Sequence, residues 1–87
     1  MKLKLLGTEA ATAVGSTNGS NFGSSTAVRV HNSGAAARLV SVETAAASLI
    51  GTLTLGAGTS EIIHKNPTDE IFSANAEVLG VGVAING

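Results

Sequence analysis

Leu49 to Leu55 alternates with a period of two. Leu49, Leu53 and Leu55 share a face with Gly51, and Ile50, Thr52 and Thr54 share the other. A strand with one buried face satisfies that period; a helix, whose like-facing residues recur every three to four positions, does not. Gly56-Ala57-Gly58 follows, and Thr59 to Lys65 supplies a second extended run. Glycine adopts positive φ without steric cost, so the segment predicts a β-hairpin over 49–65 with a Gly-rich turn.

The rest of the chain repeats the pattern. Lys2 to Leu6 alternates lysine with leucine and reads as a first strand, its lysines facing water and deterring edge pairing. Residues 7–14 read as a short strand or extended arm, and 15–25 as a Gly/Ser/Asn-rich connector holding one aromatic residue, Phe22. Thr26 to His31 places Ala27, Arg29 and His31 on one face against Val28 and Val30. Asn32-Ser33-Gly34 is a turn, Ala35 to Thr44 a strand, and 44–48 a loop of small residues. Lys65-Asn66-Pro67-Thr68-Asp69-Glu70 holds the only proline and reads as a turn before a short strand at 69–73. In Val78 to Ile85 one face is bulky (Leu79, Val81, Val83, Ile85). The other is nearly bare at Gly80, Gly82 and Ala84, which marks a strand that another backbone approaches closely. About six to eight short strands with turns between them predict an all-β fold, a small antiparallel β-sandwich, Ig-like or jelly-roll-like. The expected organisation is an N-terminal strand and flexible arm over residues 1–25 and a sandwich over 26–87.

Composition narrows the function. Cys, Trp and Tyr are absent from the 87 residues, so neither disulfides nor large aromatic anchors can stabilise the core. A core of Val, Leu, Ile and Ala is thin for this length, which implies that partner chains supply buried surface. Charged residues make up 13%, against about 25% in an ordinary soluble domain, and the net charge is −1. Five basic residues without a basic run or a stacking platform argue against nucleic acid. No apolar run approaches the ~20 residues of a spanning helix, so no membrane partner is expected.

Reactive constellations are weak. No Gly-x-Ser-x-Gly elbow occurs, and His31 and His64 have no specified acidic orienter, so no catalytic residue is expected. His31, His64, Asp69 and Glu70 lack metal-ligand spacing, and 66–70 lacks a calcium-loop pattern, so neither metal nor cofactor is expected. Gly15, Gly19 and Gly23 lack the Lys and helix of a phosphate loop. A sugar face would need exposed Trp or Tyr.

The runs Ala27-Val28-Arg29-Val30-His31-Asn32, Ser48 to Leu55 and Ile62-Ile63-His64-Lys65-Asn66-Pro67-Thr68-Asp69-Glu70-Ile71 together resemble small all-β virion structural and decoration proteins of tailed marine, cyanophage-like phages. The resemblance spans about residues 26–85, and Lys65 to Asp69 is its most distinctive part. It implies a homo-oligomeric protein of the virion, made in the host cytoplasm, that packs without covalent chemistry on the major capsid protein or a neighbouring virion protein. By analogy with threefold and sixfold lattice positions, a trimer or higher ring is expected. The competing readings are a receptor- or glycan-binding β-module of a fibre or tail, and an enzyme or inhibitor. Candidate partner contacts are Phe22 in the arm and Lys65, Asn66, Pro67, Thr68, Asp69 and Glu70 in the turn.

Overall fold

A computed structural model describes residues 2–15 and 19–86. Nine strands form two facing sheets: β1 (Lys2–Leu5), β2 (Ala10–Ala11), β3 (Ala13–Val14), β4 (Ala27–Asn32), β5 (Arg38–Glu43), β6 (Leu49–Leu55), β7 (Ser60–His64), β8 (Glu70–Ser73) and β9 (Val78–Asn86). One sheet has the order β1-β9-β4-β7, with β2 also on β9; the other has the order β3-β8-β5-β6. This is the expected all-β sandwich.

The described N-terminal segment contributes strands to both sheets. β1 runs antiparallel along β9 from Lys2↔Asn86 to Leu5↔Val83, and β2 continues the same edge with Ala10↔Gly80. The chain then changes sheets at Thr12, and β3 lies parallel to β8. Buried Thr12 holds the crossing. Ser73 Oγ donates its one proton to Asn75 O (2.7 Å), so Thr12 Oγ1, 2.6 Å away, donates to Ser73. Ser20 pairs with Ile71 further along β8. Part of the expected connector, residues 16–18, lies outside the described residues.

The expected hairpin over 49–65 is not formed. β6 pairs with β5 in one sheet, and β7 pairs with β4 in the other. Gly56 to Thr59 carries the chain across the sandwich, with Gly58 at φ +71 and its N–H donated to Asn32 O. Leu55 and Ile63 therefore enter one core from opposite sheets instead of lying side by side. A four-residue Gly-rich turn bridges the ~10 Å between sheets as readily as the ~4.8 Å between strands, so turn composition did not distinguish the two. The hairpin lies one connection earlier, between β5 and β6. Residues 44–48, expected to be a loose loop, form its turn. Thr44 N donates to Ser48 O, Thr44 Oγ1 accepts from Ser48 N, and Ala47 takes φ +64. β4 and β5 likewise lie in opposite sheets, so Arg38 does not meet Arg29 across a strand pair. Arg38 Nε instead donates to Glu77 Oε2 at 3.0 Å.

The core between the sheets contains Val28, Val30, Val40, Leu55, Ile63, Ile71 and Val78, with Phe22, Val42 and Leu53 packed against it. Each fully buried aliphatic side chain contributes about 1.5–3 kcal/mol of transfer free energy. Asn32 stands among them at 0% exposure. Its amide donates to Ala36 O (2.8 Å) and Leu55 O (2.9 Å), and its Oδ1 accepts from Gly34 N (2.9 Å). One side chain thus joins the loop after β4 to the end of β6. A second apolar cluster lies on the outer face of the first sheet, where Ala27, Val81 and Val83 are buried against Ile62 and Ile85. The bulky face of β9 therefore points outward, and its bare face points into the sandwich.

Candidate functional site

Residues 65–70 split into structural and displayed positions. Lys65 is half-buried, and its Nζ donates to Ser25 O at 2.6 Å, with longer contacts to Asn66 O and Pro67 O. Burial lowers its pKa below the ordinary 10.5, and the nearby Asp69 carboxylate opposes that shift. Asp69 is buried; its Oδ2 accepts from Asn66 N, and its own N–H donates to Asn66 O. These bonds close the turn, and Asn66, Pro67 and Thr68 are left exposed at its tip. Glu70 faces Glu43 directly across β5–β8, with Glu43 buried. Gly19 packs on that carboxylate pair: a Cβ there would lie 2.7 Å from Glu70 Cβ and 3.1 Å from Glu43 Oε2.

Phe22 lies against the core of its own chain. Phe22, Gly23 and Ser24 all take positive φ, which L side chains rarely adopt. Ser25 Oγ donates to Phe22 O, and Asn21 Oδ1 accepts from Ser24 N, fixing this left-handed turn. The ring needs the bare face of β9. A Cβ at Gly80 would lie 2.6 Å from Phe22 Cζ, and one at Gly82 would collide with Ser25 Oγ. The close approach expected at these glycines is the approach of this arm.

Sequence alone did not reveal one polar cluster. Arg29 and His31 share the outer face of β4, and the β4–β7 register sets Ser60 opposite His31. His31 Nδ1 lies 2.7 Å from Ser60 Oγ, which also accepts from Arg29 Nη2 at 3.0 Å. Arg29 Nη1 reaches Glu9 at 3.5 Å. Arg29, Ser60, Glu61 and Ile62 line a shallow concavity of about 380 Å³. A hydroxyl beside an imidazole is the start of a nucleophilic pair; among the described residues no carboxylate is hydrogen-bonded to the ring, and Glu9 is engaged by Arg29. His64 lies apart at the exposed end of β7. Among the described residues no three His, Asp or Glu side chains converge on a metal position, and no helix is long and apolar enough to cross a membrane.

Exposed large apolar side chains occur on both sheets. Leu3, Leu5 and Leu6 lie along β1, with Leu5 at 62% exposure beside Val83. Leu49 and Ile50 are exposed at the start of β6, Leu39 lies on β5 opposite Thr54 towards the other end of that pair, and Val14 is exposed on β3. Leu49 does not share the buried face of Leu53 and Leu55 as alternation predicted. The β5–β6 register shifts between Val42↔Gly51 and Glu43↔Leu49, leaving Ile50 unmatched. That bulge turns both residues to water, at 62% and 55% exposure. No protein-family model, curated protein or solved structure matches the chain.

Proposed function

We propose that the protein is a non-catalytic structural component that acts by packing against other protein subunits, and that its setting is a virion, where it decorates or stabilises a capsid shell. The observation that carries this reading is the placement of apolar surface. A small, weakly charged sandwich turns five leucines and Ile50 to water on or beside β1, β5 and β6, while Lys65 and Asp69 of its most distinctive turn are occupied in holding that turn. The resemblance of residues 26–85 to small phage virion proteins supplies the virion setting. Lys65 and Asp69 then serve to hold the turn, and Asn66, Pro67 and Thr68 are the part of it that a partner can touch. Phe22 serves the fold and not the partner.

Quantitative protein analysis of purified particles tests this. The protein should occur at a fixed ratio to the shell protein, and particles lacking it should disassemble at lower temperature or lower salt stress. Particles free of the protein would refute the virion setting.

A further inference from the structure

We propose that β6 pairs with β6 of a second copy, joining two sandwiches into one continuous sheet across a twofold axis near Leu53. This deepens the packing reading by naming its first partner.

The strands that end the two sheets differ in how well they are protected. β1, β7, β3 and β6 are the terminal strands in the two orders. Natural sheet ends are blunted by charge, shortness or irregularity, because unpaired N–H and C=O groups recruit other strands. β3 has only two residues. β1 carries exposed Lys4, and β7 carries exposed Glu61 and His64. β6 is the longest of the four at seven residues, and none of them is charged. Its one irregularity is the bulge at Ile50, which leaves Gly51 to Leu55 in regular register.

That regular stretch is complementary to itself. An antiparallel twofold at Leu53 sets Leu53 against Leu53, Gly51 against Leu55, and Thr52 against Thr54 of the second copy. The inward-facing pairs are apolar, and the outward-facing pairs are Thr–Thr, both favourable across strands. Charge complementarity selects the same strand. Self-pairing β1 about Leu3 sets Lys2 against Lys4, and self-pairing β7 about Ile62 sets each Glu61 against Ile63 without a counter-charge, whereas β6 brings no charge to the joint. A closed C2 pair is also the commonest arrangement of identical subunits. It takes the place of the ring expected from the capsid analogy.

The test uses the whole purified chain without particles, so it is independent of whether virions contain the protein. Light scattering should give twice the 8.5 kDa chain mass at high concentration, falling towards 8.5 kDa on dilution. Amide exchange of the wild type should show protection within 51–55 that rises with concentration. Thr52 and Thr54 are both exposed, so substitution there spares the core. T52K/T54K sets lysine against lysine and should give a folded monomer, with dissociation at least tenfold more favourable. T52K/T54E sets the introduced lysine of each copy against the introduced glutamate of the other and should restore the dimer. A monomeric or trimeric wild type, protection that appears only when a different protein is added, or a dimer that survives T52K/T54K each overturns the proposal. Failure of T52K/T54E to restore the dimer overturns the Leu53 register.

Discussion

Replacing Asn32 tests whether the sandwich depends on one buried amide. Asn32→Ala removes two bonds donated to Ala36 O and Leu55 O and one accepted from Gly34 N. Three hydrogen bonds at about 1 kcal/mol net each give a cost of about 3 kcal/mol. A domain of 87 residues has roughly 4–13 kcal/mol in all, so the variant should fold but sit near the margin. Asn32→Asp separates the hydrogen bonds from the volume. It retains the acceptor for Gly34 N and sets a carboxylate oxygen against two carbonyl oxygens. Burial and those carbonyls raise its folded pKa above the unfolded ~3.9. The folded state then binds more protons than the unfolded state, so stability is greatest below that value and falls as pH rises through the folded pKa. The deficit of Asn32→Asp against wild type should therefore be larger at pH 7 than at pH 4, while that of Asn32→Ala stays level. Without Trp or Tyr, urea unfolding must be followed by far-UV circular dichroism. A cost below about 1 kcal/mol for Asn32→Ala, or a pH-independent deficit for Asn32→Asp, would overturn this account of the buried amide.

Other substitutions address single contacts. Gly80→Ala should cost about 1–3 kcal/mol through collision with the Phe22 ring, and its cost should fall below about 1 kcal/mol in a Phe22→Ala background; additive thermal shifts would show that ring and glycine are not coupled. Because burial lowers the Lys65 pKa, the unfolded chain binds more protons between that value and 10.5. Wild type should accordingly gain stability relative to Lys65→Met as pH rises through that window, and an unchanged difference in alkaline urea melts would count against the burial.

What was legible in the sequence was periodicity. The strand over 78–85, its bare glycine face and the Lys65–Glu70 turn followed from residue types at short range. The partner of each strand did not. Gly56-Ala57-Gly58 satisfies a hairpin and a sheet crossing equally well, and the true hairpin turn at 44–48 carries its positive φ on Ala47, a residue that gives no such signal. The outward Leu49 depends on a bulge set by the register with β5. The Arg29–His31–Ser60 cluster depends on the register of β4 with β7. Within the turn, Lys65 and Asp69 looked as available as Thr68, because burial of a charge by neighbouring carbonyls is a property of the folded chain.

The pairing of Lys2 with Asn86 dictates an order of events in folding. Among the described strands only β5 and β6 are both consecutive in sequence and neighbours in a sheet. Their turn is short, so closing it costs little entropy, and this hairpin is the natural place for structure to begin. β1, by contrast, has no neighbour until β9 arrives about 80 residues later, several seconds on at roughly 5–20 residues per second of synthesis. A nascent chain therefore completes β6 early and its N-terminal border late. On the proposed β6 self-pairing, copies emerging close together would meet first through that strand.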